Sequence, residues 1–231
     1  ASSFSHPLDH WQTNALGIVA LVEALRTRSW LQRFMQISTP EVYGAMPVPA
    51  TEDHPLSPTS PYAASKGAAD LHIEAITKSQ GFPAITIRAT NVYGPCQQLY
   101  RIIPRTFIRI RTGEKVRLDG GGRAIKSYVH ISDITRGELL ALAGGRLGAV
   151  YHFGPHGEGM TIRSVVESVA RAAGMDPMDV MQDGPDRPGQ DAVYRLDWTR
   201  AREELDWEPR IGFDTGITGV GTWIEQSWDD I

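Results

Sequence analysis

The chain has a single cysteine, Cys96, so no internal disulfide can form. That excludes the disulfide framework of a small secreted domain and fits a reducing compartment, so a cytoplasmic location is expected. Cys96 follows a proline in a loop and reads as an incidental thiol rather than a nucleophile. No apolar run approaches the roughly 20 residues that span a bilayer, and no secretory leader is visible, so no membrane partner is expected. Basic residues are neither in excess nor massed: 23 Lys and Arg stand against 27 Asp and Glu, a net charge of −4. Such a balance gives no electrostatic footprint for nucleic acid. Internal repeats and low-complexity tracts are absent. A glycine-rich phosphate loop is missing too. Gly120-Gly121-Gly122 is flanked by charges and a strand pattern, so it reads as the turn of a hairpin. At 231 residues there is ample material for one large domain or two small ones.

What is present centres on Tyr62-Ala-Ala-Ser-Lys66. Ser60-Pro61 opens a stretch rich in helix formers that ends at Gly81. Proline suits a helix start and glycine its end, so a helix over 62–80 is expected. Tyr62 and Lys66 are four apart and project from one face of it. A phenol has an unperturbed pKa near ~10, and a neighbouring ammonium favours the phenolate. Such a pair can take a proton from a substrate hydroxyl while a hydride leaves the same carbon. The alternative for a bare Y-x-x-x-K is a surface tyrosine and a solvated lysine.

The flanks supply context. An apolar run, Phe34 to Ile37, leads into Ser38-Thr39-Pro40-Glu41, and a β-rich run, Ala84 to Ala89, leads into Asn91-Val-Tyr-Gly-Pro95. The 44–60 stretch holds four prolines without periodicity and reads as a long loop, of a kind more often functional than idle. Helices are expected over 9–28 with Asp9 as N-cap, from 101 to Gly113, over 134–143, over 161–173 with Thr161 as N-cap, over 199–205 and over 215–227. Short strands are expected at 32–38, 84–89, 150–153 and 193–196, and a strand–turn–strand over 116–134.

The order strand, Thr, loop, Tyr-x-x-x-Lys helix, strand, N-x-Y-G-P resembles the extended short-chain dehydrogenase/reductases that act on nucleotide-diphosphate sugars. Among them it is most similar to the NDP-glucose 4,6-dehydratases. The resemblance extends to Arg187-Pro-Gly-Gln-Asp191, where dTDP-glucose dehydratases have R-P-G-H-D, and to Ala201–Pro209, which matches A-x-x-x-L-G-W-x-P. It implies an α/β fold: a Rossmann-like doubly wound parallel sheet, lacking its N-terminal half with the glycine-rich cofactor loop, and a smaller C-terminal substrate-binding lobe. Residues 1–95 would be the second half of the NAD-binding domain with the catalytic helix. Residues 96–231 would be mainly the sugar-nucleotide lobe, with some segments returning to the sheet. Without the glycine-rich loop, this stretch alone is expected to bind cofactor poorly.

The resemblance also implies roles. Tyr62, Lys66 and Thr39 would oxidise the sugar at its 4-position with NAD, and Ser38, Tyr62 and Lys66 would face that cofactor. Glu41 would remove the proton beside the new ketone. The dehydratases' acid before this Glu is here Pro40, which donates nothing, so the acid for the leaving group is unassigned. Asn91, Arg101, Lys126, Arg187 and Tyr194 would hold the substrate. Lys126 stands where the family usually has Arg, and a lysine offers a point charge instead of a bidentate fork; Arg123 could share that task. Asn14 would brace the catalytic helix. Arg88 is equally compatible with a structural ion pair, while His130 and Asp133 read as structural hydrogen bonders, and Trp207 and Pro209 as packing. Water elimination to a 4-keto-6-deoxy sugar nucleotide is the reaction implied. A 4-epimerase, or less readily a decarboxylase, using the same oxidation is the alternative, and a non-catalytic sugar-nucleotide binder is the second. The 9–28 and 62–80 helices pair between subunits in the family, which implies a homodimer. No metal is expected.

Overall fold

The computed structural model describes residues 2–45, 48–185 and 195–231. In chain order it begins with α1 (Ser2–Ser5), α2 (Pro7–Trp11), α3 (Gly17–Leu25), β1 (Phe34–Ile37), α4 (Pro61–Gln80) and β2 (Ala84–Ala89). Next come β3 (Asn91–Tyr93), α5 (Ile102–Arg111), β4 (Val116–Leu118), β5 (Ile125–Lys126), β6 (Tyr128–His130), α6 (Ile131–Gly144) and β7 (Val150–Phe153). The chain closes with β8 (Met160–Thr161), α7 (Ile162–Ala172), α8 (Pro177–Val180), β9 (Met181–Asp183), α9 (Thr199–Leu205) and α10 (Phe213–Gln226). Two compact units result: residues 1–90, 135–154 and 194–208, and residues 91–134, 155–193 and 209–231.

The first unit is built on a parallel sheet of order β1-β2-β7. Its central strand is buried from Ala84 to Arg88, as expected for a strand with neighbours on both sides and both faces covered. Val22, Ile73, Phe82 and Ala84 pack α3 and α4 against this sheet. Helix α4 starts and stops for the reasons its sequence gives. The Ser60 hydroxyl accepts the Ala63 N–H, Pro61 occupies the first turn, and Gly81 closes it in the left-handed region at φ 68°. Trp207 is fully buried against Phe153, ring centroids 4.5 Å apart. A Cβ at Gly137 would lie 2.6 Å from Phe153 and 2.8 Å from Trp207, so this contact requires glycine.

The N-terminal helix departs from expectation. Pro7, not Asp9, opens it, after His6 at the cap position. Between α2 and α3 the backbone widens into a π-helical turn over Gln12–Leu16, an irregularity often found at functional sites.

The second unit packs α5, α7 and α10 around Tyr93, Ile103, Val165, Val169, Ile217, Val220 and Ile224. A smaller core gathers Val116, Leu118, Val166, Ala170, Val180 and Met181. The hairpin expected at Gly120–Gly122 does not form. Strand β4 instead pairs in parallel with β9, and β5 pairs antiparallel with β8. All three glycines have positive φ, 58°, 65° and 70°, and this left-handed run turns the chain away from a two-strand return. Asn91–Tyr93, beyond the expected strand 84–89, forms a separate strand paired in parallel with β6. The helix at Thr161 is capped as expected, its hydroxyl accepting the Ser164 N–H. Among the described residues no helix is long and apolar enough to cross a membrane.

Candidate active site

The first unit carries Ser38, Thr39, Glu41, Tyr62 and Lys66. Strand β1 ends at Ile37, and the chain turns at once into a 3-10 turn, Pro40–Tyr43. Thr39 caps it: its Oγ1 accepts the Glu41 N–H at 3.3 Å. The turn ends at Gly44, at φ 74°, where a Cβ would fall against the Ser57 carbonyl oxygen. Ser57 N–H in turn donates to the Val42 carbonyl at 2.9 Å. The long 44–60 loop is thereby stitched back over the turn it leaves, and Val42, Tyr43, Ala50 and Leu196 form a small core beneath it. Glu41 is half-buried and Thr39 buried.

Tyr62 and Lys66 lie on the first two turns of α4. The helix meets the Thr39–Tyr43 turn at Gly67, where a Cβ would sit 3.8 Å from Val42 and 3.8 Å from Leu56. Lys66 Nζ donates to the Ile37 carbonyl at the carboxyl end of β1, 2.6 Å away. Burial lowers the Lys66 pKa, and the Asp70 carboxylate one turn on works against that shift. The imidazole of His10 stands edge-on to the Tyr62 ring, centroids 5.9 Å apart. Asn14, in the π-helical turn, donates to the Ser65 hydroxyl at 3.1 Å, which donates to the Tyr62 carbonyl at 2.8 Å. Asn14 therefore braces α4 through a serine side chain rather than directly through its backbone.

Arg88 resolves as an ion pair. Its Nη2 lies 2.8 Å from Asp70 Oδ2, with both side chains buried. Asp70 Oδ2 also accepts the Ser38 hydroxyl at 2.6 Å. Tyr43 and His152 join this cluster, and neither is marked by any sequence motif.

The second unit holds Asn91, Arg101 and Lys126. Asn91 Nδ2 donates to the Ser127 carbonyl at 3.0 Å. Arg101 is exposed just before α5, its guanidinium 5.3 Å from the Tyr100 ring centroid. Lys126 is half-buried on β5. His130 Nδ1 accepts the Ser132 N–H at 3.2 Å, and Asp133 accepts the Ile211 N–H at 2.9 Å, both structural as read. Arg187 and Tyr194 lie outside the described residues. Cys96 is exposed.

Residues 1–220 match the family model described as GDP-mannose 4,6 dehydratase. A dTDP-glucose 4,6-dehydratase of Streptomyces niveus is 39% identical over 217 residues, 94% of this chain and 64% of that protein. The chain thus spans 64% and 68% of the length of the first two curated relatives it matches. In structure it is similar to DesIV, the dTDP-glucose 4,6-dehydratase of Streptomyces venezuelae with NAD and TYD bound: TM-score 0.91, 32% identity, 99% of this chain and 70% of that one. A UDP-glucose 4-epimerase of Thermotoga maritima with UDP-glucose superposes with TM-score 0.90 at 27% identity, covering 99% of this chain and 74% of that one. The α/β fold with its parallel sheet, the motif order and the near-complete match together make this chain a member of the GDP-mannose 4,6 dehydratase family.

Proposed function

We propose that the protein is an NAD-dependent nucleotide-sugar 4,6-dehydratase acting on dTDP-glucose or a close relative. The observation that carries this reading is the pairing of two chemistries in one unit. Tyr62 and Lys66 stand on α4, and Glu41 stands on the capped turn that packs against that helix. The first pair suits oxidation of an alcohol; the carboxylate suits the elimination of water from the resulting ketone.

The chain's own residues fit the dinucleotide. An ammonium has three N–H donors; one Lys66 donor meets the Ile37 carbonyl, and the others suit the hydroxyls of a ribose. The site lies at the carboxyl end of a parallel strand, where such folds bind nucleotides. NAD, when bound, accepts a hydride from the sugar carbon and returns it at the end of the cycle. In this reading Tyr62, with Lys66 one turn on along the same face of α4, removes the 4-hydroxyl proton, and the Thr39 hydroxyl orients the reacting oxygen. The new ketone acidifies the neighbouring proton. Glu41 takes that proton, and water departs from the 6-position. Pro40 offers no acid there, so Glu41, or a water beside it, delivers the proton to the leaving hydroxyl. Asn91, Arg101, Lys126, Arg187 and Tyr194 are the substrate contacts of this reading.

Exposed Leu8, Leu16 and Leu21 on the N-terminal helices and Leu71 on α4 support a homodimer built on those faces. A monomer by light scattering would remove that part. The lone exposed thiol supports a cytoplasmic setting.

The test is incubation of the protein, at the full length its gene encodes, with NAD and dTDP-glucose, then mass analysis of the products. Loss of one water supports the dehydratase. Unchanged mass with an inverted 4-hydroxyl establishes the second reading, a 4-epimerase, which Pro40 and the epimerase likeness favour.

A further inference from the structure

Arg88 sits next to the carboxyl end of the central strand β2, only 4% exposed. A buried cation is strongly unfavourable unless an anion and full hydrogen bonding match it. An anion and three guanidinium hydrogen bonds are present, although the buried Asp70 Oδ1 accepts none. Arg88 Nε and Nη2 donate to Asp70 Oδ2 at 3.2 and 2.8 Å. Its Nη1 donates to the Tyr43 hydroxyl, and the guanidinium lies 4.7 Å from the Tyr43 ring centroid. Burial is the largest single influence and works against the Arg88 cation, but Asp70 and Tyr43 together, through charge and hydrogen bonds, leave its pKa raised.

The far side of Tyr43 is equally constrained. Its oxygen lies 2.7 Å from His152 Nε2, and His152 Nδ1 lies 2.9 Å from the Asp197 carbonyl. A carbonyl only accepts, so Nδ1 carries the proton and Nε2 accepts. Burial raises the Tyr43 phenol to about 12, so it keeps its proton to donate. Donation therefore runs in one direction, from Arg88 to Tyr43 to His152 to the Asp197 carbonyl. On the other side Arg88 and Ser38 both donate to Asp70.

These groups connect the two halves of the chemistry. Tyr43 is the last residue of the turn that begins at Pro40 and carries Glu41. Asp70 lies four residues beyond Lys66 and eight beyond Tyr62 on α4, hence on the face that carries both. Ser38 precedes Thr39 and is fixed independently, its N–H donating to the Ile87 carbonyl at 2.8 Å. We infer that Tyr43 is a positioning residue for water elimination: its hydroxyl, held between Arg88 and His152, fixes the turn that presents Glu41 and registers that turn against the helix bearing Tyr62 and Lys66. This rests on the dehydratase reading. Tyr62 and Lys66, which carry the oxidation, stand on α4, and the Ser38 N–H anchors the chain entering Thr39 independently of the Tyr43 hydroxyl, so removal of that hydroxyl costs elimination more than oxidation.

Tyr43→Phe keeps the ring and deletes the hydroxyl. A displacement near 1 Å at a reacting group costs on the order of 100-fold, so product turnover is expected to fall about 100-fold with KM within about twofold. The single-turnover burst of reduced nicotinamide, read at its near-ultraviolet absorbance, keeps its rate and amplitude. Substrate deuterated at the carbon that Glu41 deprotonates then shows a larger isotope effect on kcat than with the wild-type protein. His152→Gln, which retains an acceptor for the hydroxyl, loses less than His152→Leu; this pair carries the test should Tyr43→Phe fail to fold. Unchanged turnover, or burst and turnover falling in equal proportion while the wild type still eliminates water, overturns the inference alone. A wild-type protein that yields only an epimer overturns the dehydratase reading and the inference with it.

Discussion

His152 makes a strong prediction about acid sensitivity. The side chain is fully buried. Burial first, then the positive charges of Arg88 and Arg200, push its pKa down to about 3. The Glu52 carboxylate is 4.0 Å from Nδ1, but it also faces Arg200 at 3.7 Å, and burial raises its own pKa. The ring is therefore neutral in the folded state. In the unfolded chain the imidazole titrates near ~6.5. Proton counting gives the direction of the effect. Above about pH 6.5 neither state binds the proton and stability is at its full value. Below it the unfolded state gains a proton that the folded state refuses. Stability then falls until the folded ring itself titrates near pH 3. Each pH unit in that window removes about 1.4 kcal/mol, so acidification from about pH 6.5 to about pH 5 removes about 2 kcal/mol. Against a typical total of about 5–15 kcal/mol that is a large fraction. Urea unfolding at matched ionic strength, over that range, measures it. His152→Gln does not titrate, so its stability should start lower at neutral pH and decline about 2 kcal/mol less on acidification. The carboxylates remote from His152 are common to both proteins, so their contributions cancel in the difference. Parallel pH profiles for the two proteins would refute the reasoning.

Two further perturbations address chemistry and packing. Glu41→Gln keeps the shape of the turn but removes the base. Turnover to the 4-keto product should fall by about 10²–10⁴, while oxidation, read as reduced nicotinamide in a single turnover, persists; loss of both together would place Glu41 outside the elimination step. Trp207→Ala empties the space between Phe153, Trp198 and Gly137 and should destabilise the protein by about 3–5 kcal/mol, measured by chemical denaturation; a cost below about 1 kcal/mol would contradict the packing described.

The most legible features were those whose signals are local. Ser60, Pro61 and Gly81 bound α4 as their sequence implies, because a cap, a fixed φ and a left-handed terminus act within a few residues. Strand β2 and helix α9 agree with the reading for the same reason, as do the Thr161 cap and the burial of Trp207. Three local readings gave way to tertiary structure. The Gly120–Gly122 run became a left-handed turn with its strands paired elsewhere, since pairing partners are chosen across the whole unit. The β-rich run divides after Ala89, Asn91–Tyr93 pairing instead with β6. The N-terminal helix is interrupted by a π-helical turn that sends Asn14 to Ser65.

The sequence by itself determined the family and the residue types at the Thr39–Glu41 and Tyr62–Lys66 positions, since motif spacing and order along the chain carry them. It left Arg88 open and gave no sign of Tyr43 or His152. An arginine within the apolar run of β2 was the one available clue, for such a cation must find an anion. Which anion, and what else gathers round it, only the tertiary structure decided. Arg88 lies 18 residues from Asp70 and 45 from Tyr43, and Tyr43 lies 109 from His152. Hydrogen bonds across such separations are set by the stacking of β1, β2 and β7 with α4, and no short-range pattern encodes them.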